Sequence, residues 1–322
     1  MAYQAGDTIL DDEYNAFVSN SSSPFGINHI GGTGSAQYGL GESDVSTVTA
    51  GSTINASQWN SLFSAMDVVA GHTGTSISST TSKSAGDTIA IISALVSDLA
   101  SLASAVAGGS TGTSAVTTSS ALQAPASSST WTGSFITEVS VTFANANKMR
   151  HFFNAGGKIR ITPTRTGNGA AGGGASGKDG AWDNLYAAVG NLDIASQAST
   201  RSGSGETLNT NGLALGFHDL TTSYQTILQL NDDTYPYASN YIRFEAKLDA
   251  AVGSAVTITV KTSAHDGAAD TTFTSGNTSG VDTQAYRNGQ HTHTLKTITT
   301  TTASLTNAHA QSSSATVSNT TS

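Results

Sequence analysis

The chain has 322 residues, room for two or three domains, with only 11% charged side chains, 34 glycines, 4 prolines and no cysteine. Disulfides, thiolate metal ligands and cysteine nucleophiles are excluded. The serine- and threonine-rich composition cannot build one large leucine-rich core; it suits a β-rich, well-solvated structure, or an oligomer whose core is completed between subunits. The net charge of −9 is uneven: residues 1–147 hold ten acidic side chains against the single basic Lys83, and residues 148–322 hold twelve of each. Neither half has the basic cluster that nucleic acid demands.

The start, Met1-Ala2-Tyr3-Gln4, lacks a basic n-region and an apolar h-region, so no secretion signal is expected. A repeat follows. Ala5-Gly6-Asp7-Thr8-Ile9 recurs as Ala50-Gly51-Ser52-Thr53-Ile54 and as Ala85-Gly86-Asp87-Thr88-Ile89. Each copy runs into a helical pattern: Tyr14, Phe17 and Val18; then Trp59, Leu62, Phe63 and Met66; then Ile92, Leu95, Leu99, Leu102 and Val106. Asn55 with Gln58 three residues on resembles a capping box. The third pattern has the spacing of a coiled-coil seam between subunits, and equally that of an amphipathic helix packed on its own domain. Serines and Asp98 make the stretch from Ile89 to Val106 too polar to cross a bilayer, so no membrane insertion is expected.

Residues 1–106 therefore read as a helical repeat region, and 107–130, rich in Gly, Ser, Thr and Ala, as a linker. Residues 131–287 read as a β-rich domain. Its strand candidates are Phe135 to Phe143, Ile159-Ile161, Ile242 to Leu248 and Val256 to Val260, with a short helix at Trp182–Val189. Residues 288–322 form a Thr/Ser-rich C-terminal segment. The expected fold class is α+β: the helical repeats, then an antiparallel β-sandwich-like domain, then the tail.

Several motifs invite chemistry. Gly167-Asn168-Gly169-Ala170-Ala171-Gly172 matches the dinucleotide fingerprint in letters, but no apolar helix begins within it, and a surface loop is expected. Gly172 to Gly177 and Lys178 approach a phosphate-binding loop, but Asp179 stands where a magnesium-binding hydroxyl belongs. Asp11-Asp12 and Asp232-Asp233 are adjacent carboxylates that suit a helix start and a turn. Two distant carboxylates would suffice for glycosidase chemistry, but no pair identifies itself, and the expectation is a protein that is not an enzyme. His291 and His293, two apart in a threonine-rich strand, face one side. Around a threefold axis they would gather six imidazoles, a set able to hold a transition metal octahedrally; the alternative is a solvent-facing pair in a polar tail. No other cofactor is expected.

Glu138-Val139-Ser140-Val141-Thr142-Phe143 and the run Arg150-His151-Phe152-Phe153-Asn154-Ala155-Gly156-Gly157-Lys158-Ile159-Arg160-Ile161 resemble virion structural proteins of tailed phages, notably cyanophages. The repeats with Tyr14-Asn15 and Trp59-Asn60, Gly32-Thr33-Gly34-Ser35, Gly216-Phe217-His218-Asp219-Leu220 and Tyr235-Pro236-Tyr237 look like segments of the same family. The resemblance implies a particle component, tail-fibre-like, with no catalytic residues to carry over. The expected role is a fibre or appendage subunit of a virion, made in the host cytoplasm and assembling as a homotrimer with other tail, neck or head proteins. The alternatives are a receptor- or glycan-binding module at a fibre tip, where Tyr235 and Tyr237 could stack on a host surface glycan, and head or neck decoration. Read physically, Phe152 and Phe153 bury their rings, and Asn154, Gly156 and Gly157 allow a left-handed turn or bulge into the Lys158–Ile161 strand.

Overall fold

The computed structural model describes residues 11–33, 39–87, 92–107, 116–123, 133–165, 177–195, 199–208, 220–233, 237–268, 272–275, 278–281, 291–300 and 314–321. They combine helices with antiparallel sheets, an α+β chain. Two compact units emerge: one from Met1–Thr117, Asn145–Gly157 and Thr299–Gln311, the other from Thr118–Ala144, Lys158–Ile298 and Ser312–Ser322. Among the described residues no helix is long and apolar enough to cross a membrane.

The first unit contains helices α1 (Asp11–Ser19), α2 (Ile27–Ile30), α3 (Ala56–Thr73), α4 (Ile92–Ala107) and α5 (Ala146–Asn154). Asn55 and Gln58 form the capping box of α3, each side chain taking the other's backbone N–H. The apolar stripes of α1, α3 and α4 share one core, with Trp59 edge-on to Tyr14 at 5.3 Å. Leu95, Leu99, Leu102 and Val106 lie in that core, each 4% exposed or less. The stripe with coiled-coil spacing thus packs in the core of its own unit, the second of the two readings its spacing allowed. Ile92 opens α4; its side chain lies outside the described residues.

The sequence repeat has a structural counterpart in how helices hold extended backbone. Asn15 Nδ2 donates to Val48 O at 2.9 Å, and Val48 N–H returns a bond to Asn15 Oδ1 at 2.8 Å. Asn60 makes the same pair of bonds to Lys83, at 3.0 and 2.8 Å, and Asn28 to Val45, both at 2.8 Å. One side-chain amide here does what a residue of a neighbouring strand does, offering a donor and an acceptor together. Val48 and Lys83 each stand just ahead of an Ala-Gly turn. Ser52 N–H bonds Thr49 O, Asp87 N–H bonds Ser84 O, and Gly51 and Gly86 take φ of 80° and 91°. These are type II turns, whose third position requires the positive φ that glycine supplies. The first copy, residues 5–9, lies outside the described residues.

The aromatic run departs from expectation. The left-handed turn expected ahead of the Lys158–Ile161 strand is present, at Gly156, but the aromatics lie on the helix α5, in the first unit and not in the β-rich one. Asn145 caps its start by accepting Lys148 N–H at 2.9 Å, and Met149 and Phe152, three apart, face inward. At its end, Gly157 N–H bonds Phe152 O and Gly156 N–H bonds Phe153 O, with Gly156 at φ 85°. That is the paired-bond pattern that closes a helix through a left-handed glycine. Phe152 is fully buried, whereas Phe153 is half-buried. Positive φ falls on Gly156; at Gly157 the restriction is steric, since a Cβ there would meet Phe152 O and the Phe152 ring.

The second unit holds two larger sheets. The six-stranded sheet runs β13-β2-β9-β8-β7-β6, from β2 (Gly133–Thr142), β6 (Thr207–Leu208), β7 (Gln225–Asn231), β8 (Tyr241–Leu248), β9 (Thr257–Asp266) and β13 (Ser314–Thr321). The five-stranded sheet runs β1-β12-β3-β4-β5, from β1 (Val116–Gln123), β3 (Lys158–Arg165), β4 (Leu192–Ala195), β5 (Thr200–Arg201) and β12 (His291–Thr300). A separate hairpin pairs β10 (Thr272–Ser275) with β11 (Thr278–Val281). The segment expected as a linker, 107–130, thus carries strand β1, whose β-branched Val116, Thr117 and Thr118 favour extended structure. In β8, buried Ile242, Phe244, Ala246 and Leu248 alternate with half-buried Tyr241, Arg243, Glu245 and Lys247. Helix α6 (Gly177–Val189) buries Trp182, Leu185, Tyr186 and Val189 and packs on β3 of one sheet and on β7 and β8 of the other.

Two stability outcomes follow. Asn60→Ala removes both partners of Lys83 and should cost about 1–2 kcal/mol in denaturant unfolding, while the distant control Ser101→Ala should leave the midpoint in place. Phe152→Ala should cost about 3–5 kcal/mol and Phe153→Ala clearly less; equal losses would contradict the helix described.

Candidate functional site

The face of the six-stranded sheet that carries the half-buried residues is polar, and strand register sets its rows. Glu138, Lys261 and Glu245 stand side by side on β2, β9 and β8. Lys261 Nζ meets Glu245 Oε2 at 2.7 Å. Tyr224 lies across this row: its hydroxyl donates to Glu138 Oε1 at 2.8 Å, with Lys261 and Lys247 4.2 and 4.4 Å from its ring centre. Burial, then the bond to Glu138 and the Glu138 and Glu245 charges, hold the Tyr224 hydroxyl well above the usual phenol range. This part of the face is charge-balanced and structurally closed.

The far end of the face differs. Ser134, His265, Tyr241 and Asn231 form one row and Ile136, Ser263, Arg243 and Gln229 the next. The Tyr241 and His265 rings stack at 4.6 Å with 25° between planes, and the Arg243 guanidinium lies 4.7 Å from the Tyr241 ring centre. Gln229 Oε1 fixes Arg243 by accepting its Nε–H at 2.6 Å. Among the described residues no carboxylate pairs with Arg243. Ser134 Oγ lies 2.9 Å from His265 Nδ1, the contact of a nucleophile with its base. Among the described residues no carboxylate orients the imidazole, which a hydrolytic triad requires. The contact is the direct cross-strand pairing of the two residues.

A second constellation joins Glu206, Asp232 and Asp233, with one carboxylate oxygen from each within 4.8 Å of the others. Pairing of Thr207 with Asn231 sets Glu206 beside the two aspartates, and Asp233 N–H donates to Glu206 Oε2 at 3.0 Å. Burial and then the neighbouring carboxylates raise Glu206 above the usual range, against the opposing Asp233 backbone bond. The oxygen donors are of the type hard divalent cations accept; like-charge crowding alone gives the same direction of shift. Asp232-Asp233, read from sequence as filling a turn, directly follows β7; Glu206 joins it only through strand pairing.

In the first unit a cleft of about 650 Å³ opens between α2, α3 and the 42–46 segment, lined by Asn28, Glu42, Asp44, Ser57, Ser61 and Ser64. Asp44 is committed to Thr33, accepting its N–H at 3.0 Å and its hydroxyl at 2.8 Å. The aromatic helix docks beside this segment: Arg150 Nη2 donates to Thr33 O at 3.1 Å, Asn154 Nδ2 donates to Gly39 O at 3.0 Å, and the His151 ring lies against Gly41. These residues are anchors within the unit.

His291 and His293 sit two apart on β12, opposite Arg165 and Pro163 of β3. Their side chains lie outside the described residues, as do 167–176 of the glycine motifs and Tyr235. Asp11 and Asp12 begin α1, as expected. Tyr237 is 2% exposed and fills the interior, so it is not a stacking platform. Sequence reasoning missed Tyr241, His265 and Arg243, whose only signal is alternation along two strands.

Burial first, then the Arg150 and Lys148 charges against the opposing Asp44, lowers His151 to about 4. A folded value below the unfolded value of about 6.5 means that the fold binds fewer protons. The contribution is present above the unfolded value and lost as pH falls through the folded one. The first unit should lose melting temperature between about pH 6.5 and pH 4, and His151→Gln should flatten that slope; thermal melts across the range check this.

Comparison with models of known protein families, with curated proteins and with solved structures finds no match.

Proposed function

We propose that the chain is a structural subunit of a tailed-phage particle, a fibre or appendage component that assembles with copies of itself, a trimer by preference, and with other virion proteins. Its role is assembly rather than catalysis, its β unit is sandwich-like, and it is made in the host cytoplasm and carried on the virion. The observation that carries this reading is the contrast between sheet edges. Among the described residues, each larger sheet has one blunted edge, the two-residue strands β5, which ends in Arg201, and β6, which follows Glu206. The opposite edges are eight-residue strands, β1 (VTTSSALQ) and β13 (SATVSNTT), with no charge and no proline. Proteins that must stay apart protect edges with charge, proline or brevity; a long neutral edge is a template for another chain. The resemblance of the 138–161 run and of the repeats to phage virion proteins points the same way. Head or neck decoration would use the same edges at another location.

A second reading, a receptor- or glycan-binding module, is favoured by one observation: Arg243, which has no carboxylate partner among the described residues, lies beside stacked Tyr241 and His265.

Sedimentation of the purified full chain at micromolar concentration tests the assembly reading. The wild type should run as an oligomer. Thr117→Lys with Ser119→Lys on β1, or Thr316→Lys with Ser318→Lys on β13, should shift it to monomer with the melting of the helical unit unchanged. A wild type that runs as a compact monomer would overturn the proposal.

A further inference from the structure

Among the described residues of the polar sheet face, Lys261 is paired with Glu245, whereas Lys247 lies over the Tyr224 ring and Arg243 over the Tyr241 ring, neither with a carboxylate partner. Arg243 differs from Lys247 in being fixed by an amide as well. Its Nε is spent on Gln229 and its plane rests near Tyr241, which fixes the group and leaves the planar fork of terminal N–H groups for something else. A guanidinium held this way is preorganised for two parallel bonds to a carboxylate. Around it lie an imidazole and an aromatic ring, on a chain whose net charge is −9, while the Gln229 amide is spent on Arg243 and Asn231. A fixed, aromatic-backed guanidinium on an acidic protein selects a ligand that brings both an anion and hydroxyl groups.

We infer that Arg243, Tyr241 and His265, with Gln229 holding Arg243 in place, form a binding site for an acidic sugar residue of a polysaccharide, a uronate. Arg243 takes the carboxylate, held in place by the buried Gln229, and His265 takes a ring hydroxyl; the edge of Tyr241 meets the apolar face of the sugar. The inference rests on the second reading above and names its site and ligand class. A sheet face is an extended, shallow surface, suited to a polymer lying across strands rather than to a small molecule that needs enclosure. The row of Glu138, Lys261 and Glu245, with two carboxylates against one lysine, bounds the site on one side and repels a second acid there.

The test is calorimetric titration of the full-length protein with an oligogalacturonate and with a neutral oligoglucoside of equal length. Sodium acetate is included as a competitor at the same carboxylate concentration. The wild type should bind the acidic oligomer and not the neutral one, and acetate should not displace it. Arg243→Gln should weaken binding by about tenfold or more, and Arg243→Lys, which keeps the charge but loses the fork, should weaken it too. Unchanged melting of both variants shows that β8 is intact; should Arg243→Gln melt early, Arg243→Lys is the deciding variant. Binding of the acidic oligomer that neither variant weakens, or equal binding of both oligomers, would overturn this site while leaving a glycan-binding role. Displacement by acetate would mean a simple anion site and overturn the sugar assignment. Absence of binding to either oligomer would overturn both the site and the second reading.

Discussion

The helical unit depends on asparagine side chains that behave as pieces of backbone. Asn15, Asn28 and Asn60 each give one donor and one acceptor to a single extended residue, and Asp98 accepts Ser78 and Ser79 N–H with one oxygen. A chain this poor in large apolar residues has few means of fixing its connecting segments. Those segments are too short of side-chain bulk to be held by packing, and their peptide groups would be costly to bury unpaired. Satisfying both groups of one residue from a helix fixes a segment's position and register at once. The Ala-Gly turns then reverse direction immediately after Val48 and Lys83, which is why the repeat in sequence begins there.

How much of this was legible depends on the range of the interaction. The turns, the Asn55–Gln58 capping box and the helices that follow are local, and the repeated letters announced them. The partner of Asn60 stands 23 residues away, and nothing in Trp59-Asn60 names Lys83. The leucine stripe of α4 shows that periodicity reports a buried face without saying whose core it enters: Leu95 and Leu99 meet the aromatic core of their own chain. The left-handed turn ahead of the Lys158–Ile161 strand was legible from its glycines, but the helix that carries Phe152 and Phe153, and its place outside the β-rich unit, were not. The correcting signals were the bracketing residues, Asn145 before and Gly156 after, which together spell a helix with both ends closed. The candidate sites were less legible still. Tyr241, His265 and Arg243 are ordinary letters of alternating strands until register sets β8 beside β9.

The two faces of the six-stranded sheet express one division of labour. Inward, Phe135, Val139, Phe244 and Ile258 supply the apolar burial that the composition otherwise rations. Outward, hydroxyl pairs such as Ser140 with Thr259 and Thr142 with Thr257, at 2.8 and 3.0 Å, tie neighbouring strands through side chains. Cross-strand contacts of this sort add only a few tenths of a kcal/mol each, and these two lie at the Thr142 end of β2. A sheet stitched on its wet side needs less from a dry core.

Helix α5 has a consequence for how the protein is made. The chain leaves β2 and contributes Asn145–Gly157 to the helical unit before returning at β3. The N-terminal repeats therefore cannot close when residue 117 has been synthesised. At ribosomal speeds they wait roughly 2–8 s more for the segment that carries Arg150, Phe152 and Asn154. During that interval Thr33 O and Gly39 O have not yet met the side chains that bond them. A gene fragment ending in the serine- and threonine-rich stretch after α4 would encode all the repeats and still lack a part of their fold. Dividing this protein at its apparent linker would separate a unit from one of its own pieces.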